Sequence, residues 1–491
     1  MFNFRHWRFA GRLCLRSFAQ TSKLLPRKRR PIWLCVLPSA LGLSLFSSQA
    51  LAQAAPPIPV PAGNTDFLNL LSPAPTAGAT SIQPPSQQYS VEYQPIRIGP
   101  WEITPSLFSG MAYNDNLYGR PNNKVGDAAW RVTPTLMVVN DSGINRFTYY
   151  ALVDSLTYLR YGQDDTVNGR VGLTDRWEID RDLVFRVFGD LSRQTDLGSV
   201  QNYVSGQNYG SDQNYGSGQN FGNAQNNSRP TFLPLHYWQY ETGGSLVKSF
   251  DRLFIGASST FTKQLYDNLG ATQGPPISES YQNNNQSFVT GRVGYFLGPA
   301  IYTFVDTSGN QQTYQDASHY NSKGYRVVGG LGADPLSLFK GEIYAGYQRQ
   351  YFAEELGGAQ GGAAFGGNVS WLPTQYLTVG VNLDQALSTS IASSPITSTT
   401  ASATKTTAAG LSVDYALSQT WSANGHVNFA KVSYDDSLRF DHDAAAGLTF
   451  NWKIKKNLNA TLDYQLNRIS SNYLSAGYTQ NVVSVGLTYL P

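Results

Sequence analysis

The chain has 491 residues and a formal net charge of +3, but nine of its 36 basic residues lie in the first 30 positions, where no acidic residue occurs. The rest of the chain is therefore acidic overall, and its charge gives no support for nucleic acid binding. Both cysteines, Cys14 and Cys35, also lie near the start, which excludes disulfides, thiol nucleophiles and thiolate metal sites from the remaining sequence.

Residues 1–52 have the pattern of an export signal. A long basic segment precedes the apolar run 32–46, and Ala50-Leu51-Ala52 supplies small residues at a cleavage site. We expect cleavage near Ala52, which would leave 439 residues (491 less 52) with a formal charge of −6 (+3 less nine). The Pro-rich residues 53–97 follow, and we predict an extended periplasmic tail there, because proline interrupts both helices and strand ladders.

From about residue 98 to 491, apolar and polar residues alternate with a period of two. In one such segment, Leu411, Val413, Tyr415 and Leu417 alternate with Ser412, Asp414 and Ala416. A strand with this pattern has one apolar and one polar face. Short turn signals alternate with longer polar connections, which predicts about 18 strands (16–20) in one antiparallel transmembrane β-barrel. The short turns would be periplasmic and the long loops would lie outside the cell.

Residues 201–227 repeat a Gln-Asn-Tyr-containing unit of six residues within the widest gap between predicted turns. The unit has almost no aliphatic residue, so we predict a disordered outer loop over 201–230. Its regularly spaced aromatic rings could stack on sugars, so the candidate glycan contacts are Tyr203, Tyr209, Tyr215 and Phe221.

Four tryptophans lie within a few residues of predicted short turns, namely Trp177, Trp371, Trp421 and Trp452. Interfacial aromatic residues occupy this position in outer-membrane barrels. We therefore predict a periplasmic aromatic girdle, and with it a membrane barrel rather than a soluble one.

The segment IGPWEITPSLFSGMAYNDNLYG (98–119) resembles the opening strand of an outer-membrane β-barrel porin family associated with exopolysaccharide export. The resemblance covers the organisation of about residues 95–491, although only this first strand is close in motif. It implies a single outer-membrane barrel with a role in exopolysaccharide secretion, and it gives no established catalytic residues to carry over. The repeat at 201–227 and the ending at Pro491 depart from the family pattern.

Strand parity assigns nine charged residues to the lumen. An early group would be mainly basic and a late group acidic, which would give a transverse field across a pore; a generic polar lining is the alternative. The predicted pore-lining residues are Arg146, Arg170, Arg176, Glu178, Arg186, Glu342, Asp384, Asp414 and Asp463.

The sequence contains no catalytic, nucleotide-binding or metal-binding motif, so we predict no enzyme activity, cofactor or metal site. One cluster on a predicted outer loop could activate water, but a solvated acidic loop is the simpler interpretation; it comprises Asp435, Asp436, Asp441, His442 and Asp443.

The leading functional hypothesis is a conduit for polysaccharide export or small solutes. The alternatives are a surface structural or adhesive barrel that uses the repeat loop, and a hydrolase at the barrel rim. The expected partners are outer-membrane lipid and lipopolysaccharide, the barrel assembly machinery and polysaccharide export components, and not nucleic acid.

Overall fold

The computed structural model describes residues 95–196, 235–268, 278–333, 338–352, 358–390, 402–434, 439–472 and 477–491. These residues form 19 β-strands and three single-turn 3-10 helices at Gly162–Asp164, Ser280–Gln282 and Ser318–Tyr320. None of the described helices is long and apolar enough to span a membrane. The strands are β1 (Ile96–Ile98), β2 (Trp101–Asn114), β3 (Asp127–Asp141), β4 (Asn145–Tyr158), β5 (Thr166–Asp180), β6 (Leu183–Asp196), β7 (Leu235–Phe250), β8 (Leu253–Tyr266), β9 (Asn284–Phe296), β10 (Ile301–Tyr314), β11 (Ser322–Ala333), β12 (Phe339–Tyr351), β13 (Ala359–Thr374), β14 (Leu377–Ser390), β15 (Ser402–Ala416), β16 (Trp421–Tyr434), β17 (Phe440–Lys455), β18 (Leu458–Ser471) and β19 (Tyr478–Tyr489).

Strands β2 to β19 form a closed antiparallel ring. Each pairs with its neighbours along the chain, and β19 pairs with β2 from Val482↔Asn114 to Tyr489↔Leu107. Closure gives every strand a partner on both sides, which leaves no sheet edge with unsatisfied backbone groups. The predicted barrel of about 18 antiparallel strands is therefore confirmed, while the short β1, which pairs only with the start of β2, was not predicted.

Alternation of side chains explains why the ring has two different faces. Along β8, Phe254 is 1% exposed, whereas its neighbours Leu253 and Ile255 are 37% and 44% exposed. The exposed set around the ring consists largely of Val, Ile, Leu and aromatic residues, and the buried set is largely polar. A water-soluble barrel would have the reverse arrangement, so the outer face suits lipid.

The connections differ in length at the two ends of the barrel. At one end the strands are joined by short turns, and Asp251 and Gly143 adopt positive φ of 56° and 82° in two of them. At the other end the connections are longer. Strands β6 and β7 pair up to Asp196↔Leu235 at this end, and the connection that contains the repeat leaves from there. We call the two ends the short-turn end and the long-loop end.

An aromatic cluster covers part of the inner face near the short-turn end of β6 to β10. Its buried members are Val184, Val247, Phe254, Tyr302 and Phe304. The rings lie flat over neighbouring strands where glycine leaves room. A Cβ at Gly294 would overlap the ring of Phe254, and one at Gly332 would overlap that of Tyr302. The inner wall is thus closely packed in this sector.

Candidate functional site

The most heavily charged cluster on the inner face is centred on Arg292 of β9. Its guanidinium contacts both carboxylate oxygens of Asp306 on β10 at 2.6 Å. It also contacts Oε1 of Glu342 on β12 at 2.6 Å, and the Tyr302 hydroxyl donates to the same oxygen at 2.7 Å. Two strands separate β9 from β12, so these side chains can meet only across the concave inner face.

The predicted early lumen residues all lie at inner-face positions. Arg170 is buried and donates to Asp190 Oδ2 at 2.7 Å, and the hydroxyl of Tyr150 donates to the same carboxylate. Arg176 pairs with Glu178 at 2.6 Å, and Arg186 is buried. Arg146 lies at the short-turn rim, half-exposed and 4.0 Å from Asp141.

The predicted late carboxylates also lie at inner-face positions, but their partners differ. Glu342 belongs to the Arg292 cluster. Asp384 accepts a hydrogen bond from the Tyr344 hydroxyl at 2.6 Å and lies 4.0 Å from Arg326. Asp414 is hydrogen-bonded by the Asn424 amide, and Asp463 by the Thr449 hydroxyl at 2.6 Å.

These pairs divide the charges differently from the segregated walls suggested by the sequence. The early strands carry Asp154, which pairs with Arg131 at 2.6 Å, and Asp190, which pairs with Arg170; the later strands carry Arg292 and Arg326. Opposite charges are thus neutralised locally along most of the ring. Arg131 and Arg292 were not among the predicted lumen residues, although the same two-residue parity places both on the inner face.

Amide side chains form a second kind of inner surface, towards the long-loop end. Gln286 donates to Asn284 at 3.1 Å, Asn284 to Gln264 at 3.0 Å and Gln264 to Gln239 at 2.9 Å, so a relay of four amides runs across β9, β8 and β7. Other buried amides at inner-face positions include Asn382, Gln348, Gln350, Asn428, Gln465, Asn467 and Gln480. In this sector the Gln and Asn side chains, with Ser and Thr between them, form a polar but uncharged surface.

The four predicted girdle tryptophans all lie on the outer face, near the short-turn end. Trp421 and Trp452 stack with ring centroids 5.2 Å apart, Trp177 stacks on Phe185 at 5.5 Å, and Trp371 stacks on Phe339 at 6.4 Å. Each contact joins adjacent strands, which produces short aromatic segments along one rim. Cross-strand aromatic pairs of this kind also stabilise the sheet.

A second belt of exposed aromatic residues, which was not predicted, lies on the outer face nearer the long-loop end. Phe429 lies eight residues beyond Trp421 on β16, and Phe261 and Tyr347 are equally far from the starts of β8 and β12. At ~3.3 Å per residue and a tilt of ~40°, eight residues rise about 20 Å along the barrel axis. The two belts therefore bracket a zone close to the ~25 Å apolar band of outer-membrane barrels.

Comparison with known families identifies the chain. A family profile described as "Putative beta-barrel porin 2" matches residues 91–490. The chain belongs to this porin family. The match covers the whole ring, so the porin fold accounts for the outward apolar residues and the inward polar ones together.

Solved structures similar to this porin include three proteins of Pseudomonas aeruginosa. A mutant ferric enterobactin receptor, PfeA, in complex with enterobactin is 10% identical, with a TM-score of 0.40, over 79% of this chain and 81% of the receptor. OpdK with vanillate is 12% identical, with a TM-score of 0.40, over 79% and 98%. OpdQ is 14% identical, with a TM-score of 0.40, over 80% and 98%. These similarities carry no information on substrate, and no curated protein matches the chain.

The predicted acid–histidine cluster is not assembled in the described part of the porin. Asp441 is fully buried on the inner face, held by Arg439 at 2.6 Å and by the Tyr434 hydroxyl at 3.0 Å. Asp443 lies on the same face, but His442 points to the outer face, where its ring contacts Phe440. Alternation along β17 thus separates the histidine from both carboxylates, which removes the geometric basis for a rim hydrolase in this segment.

Two polar contacts tie loops to the long-loop rim. The Tyr118 hydroxyl donates to Asp164 Oδ2 at 2.7 Å, and burial raises the pKa of both groups. Arg193 donates to Asp267 at 2.5 Å, and this hydrogen bond lowers the pKa of the Asp267 carboxyl. These contacts hold the first residues of the loops against the ends of the strands.

Several predicted features lie outside the described residues. They comprise the export signal, the tail up to residue 94, and the acidic residues Asp435 and Asp436. The candidate glycan contacts Tyr203, Tyr209, Tyr215 and Phe221 lie outside as well.

Proposed function

We propose that this porin is a conduit for uncharged polar solutes, and specifically for saccharide chains, across the outer membrane. Family membership supports a porin-like barrel, and the lining of the ring supports the class of solute. Cleavage of residues 1–52 and export to the outer membrane belong to the same proposal.

The width of the ring is compatible with a conduit. Eighteen strands spaced ~4.8 Å apart and tilted ~40° enclose a ring about 35 Å across between backbones. Side chains on opposite walls occupy part of that width, yet rings of 16–18 strands are the size at which barrels leave an aqueous channel.

The amide relay is the observation that carries the proposal. Gln286, Asn284, Gln264 and Gln239 each present one donor and one acceptor group, as a sugar hydroxyl does. Amides exchange such hydrogen bonds with water or with hydroxyls at little net cost. A solute that carries many hydroxyls can therefore move along this surface without leaving buried polar groups unsatisfied.

The charge pattern supports the same solute class. Arg131, Arg170 and Arg292 are neutralised by neighbouring carboxylates, so they offer no basic track for a polyanion. Anion-selective pores expose arginine or lysine to the lumen instead.

Liposome permeation tests the proposal. Vesicles that contain the purified barrel should swell in isotonic solutions of neutral mono- and oligosaccharides, and more slowly in an anionic sugar of equal size. Planar bilayers should show discrete conductance steps. Silent bilayers and vesicles that do not swell, with insertion verified by heat-modifiable gel mobility, would contradict the conduit and favour a surface structural or adhesive barrel.

A matched pair of variants on β9 tests the amide lining. Gln286→Leu replaces an amide on the inner face with leucine. Ser287→Leu introduces leucine one residue away, on the exposed outer face. The inner variant should slow oligosaccharide flux, and the outer variant should leave it unchanged. Equal fluxes for both variants would show that the amide relay does not contribute to solute passage.

A further inference from the structure

One row of the inner face, near the short-turn end of β15 to β18, has an acidic character. Asp414, Asn424, Thr449 and Asp463 are successive cross-strand neighbours in the registers of these strands. All four lie at inner-face positions, so the two carboxylates face the lumen from one patch. We call these four residues the acidic row.

The acidic row differs from several other inner carboxylates in its partners. Within the described residues, Asp154, Asp190, Asp306 and Glu342 each pair with an arginine. Asp414 is instead hydrogen-bonded by Asn424, and Asp463 by Thr449 and Gln465. These donors are neutral, so the negative charge of both carboxylates is not compensated within the row.

An unsatisfied acceptor points to a ligand. Asp414 is 7% exposed, and its Oδ2 is buried without a hydrogen-bond partner among the described residues. The Ser412 hydroxyl, two residues away on the same face, is also buried without a partner there. Buried carboxylate oxygens are ordinarily satisfied, so this one is an acceptor that the described side chains leave open.

The surroundings of the row limit the kind of ligand. Along β17 the basic residue at an inner-face position is Lys453, four residues from Thr449 and hence ~13 Å away along the strand. His426 lies two residues beyond Asn424 on β16, towards the long-loop end, and its imidazole packs over Gly447. The described residues contain no group of three or more His, Cys, Asp or Glu that could hold a metal ion, so chelation of a dehydrated metal does not fit the row.

We infer that the acidic row is a cation-selective site of the conduit, which attracts hydrated monovalent cations and protonated amines to the short-turn mouth. The inference rests on the proposed conduit and specifies where its ion selectivity arises. The row spans three inter-strand spacings of ~4.8 Å, so a cation midway along it is ~7 Å from each carboxylate. In aqueous surroundings, with screening over ~10 Å, the two carboxylates enrich a cation roughly threefold and deplete an anion by a similar factor.

Reversal potentials in planar bilayers under a potassium chloride gradient test the inference. The wild-type barrel should prefer potassium, and Asp414→Asn with Asp463→Asn should lower the cation-to-anion permeability ratio by on the order of tenfold. Each single variant should give an intermediate ratio. An unchanged ratio in a conducting double variant would overturn the inference while leaving the conduit intact.

The control removes two charges from the same end of the barrel but outside the lumen. Asp182 and Asp251 lie in the β5–β6 and β7–β8 turns, and asparagine tolerates the positive φ of Asp251. Asp182→Asn with Asp251→Asn should change the permeability ratio by less than about twofold, because exposed charges are screened within a Debye length. A tenfold fall in this control would mean that overall charge, and not the acidic row, sets selectivity.

A second measurement does not depend on conduction. Millimolar spermidine should raise the midpoint of heat-modifiable gel mobility in the wild-type protein, and raise it less in the double asparagine variant. Silent bilayers would reject the conduit, and equal spermidine shifts in the two proteins would separately reject the acidic row as a cation site.

Discussion

An arginine on the outer face of β15 should test the membrane orientation of the strands. Val413 lies on the outer face and pairs with Gly425, which is four residues beyond Trp421 and four residues before Phe429. Four residues rise about 10 Å at ~3.3 Å each and a tilt of ~40°, so Val413 lies midway between the two aromatic belts. Val413→Arg should therefore lower the free energy of unfolding by ~2–4 kcal/mol, because lipid cannot solvate the charge.

Two further arginine variants in the same segment provide the comparison. Leu417 lies at the level of Trp421 and is 50% exposed, so Leu417→Arg should cost only ~0–1 kcal/mol at the interface. Ser412 lies on the inner face, two residues from Asp414, so Ser412→Arg should cost less than Val413→Arg, since the guanidinium can reach the Asp414 carboxylate.

Urea unfolding of barrels folded into phospholipid vesicles, followed by tryptophan fluorescence, measures all three variants. The expected order of destabilisation is Val413→Arg above Leu417→Arg and Ser412→Arg. If Ser412→Arg costs more than Val413→Arg, the faces are assigned in reverse. If Leu417→Arg costs as much as Val413→Arg, the aromatic belts do not mark the edges of the apolar band.

Three other predictions concern the inner wall and the repeat. Arg292→Met should destabilise the barrel by ~3–5 kcal/mol, since it leaves two buried carboxylates without a cation, and Glu342→Gln in the same chain should recover part of this loss in the same urea assay. Gly294→Ala should cost ~1–3 kcal/mol because its Cβ meets the packed Phe254 ring, whereas Gly291→Ala, with open space at its Cβ, should be nearly neutral; equal costs would contradict the close packing. Deletion of residues 201–227 should leave heat-modifiable mobility unchanged, since lengthening a loop whose ends the sheet already holds contributes little to stability, and protease applied to intact cells should cut within or beside the repeat. A deletion variant that fails to assemble would show that the repeat is part of the folded barrel.

The strands and their two faces follow from local sequence. The ring has the predicted number of strands, because alternation of apolar and polar residues requires no knowledge of the rest of the chain. The same parity places Asp414 inward and Val413 outward. It also separates His442 from Asp441, although the two are adjacent in the predicted acid–histidine cluster.

The partners across the inner face were decided only by the tertiary structure. Glu342 is 50 residues from Arg292 in sequence, and they meet because strand register and curvature bring β9 and β12 together over two intervening strands. Parity specifies that a side chain points inward but not which side chain it meets, since that depends on the stagger of every strand between them. The alternating sequence therefore determined the barrel and the polarity of its walls. The register of the closed ring decided which charges are neutralised, because a carboxylate can be compensated only by a cation that the ring brings within reach. The same register left Asp414 and Asp463 with neutral partners.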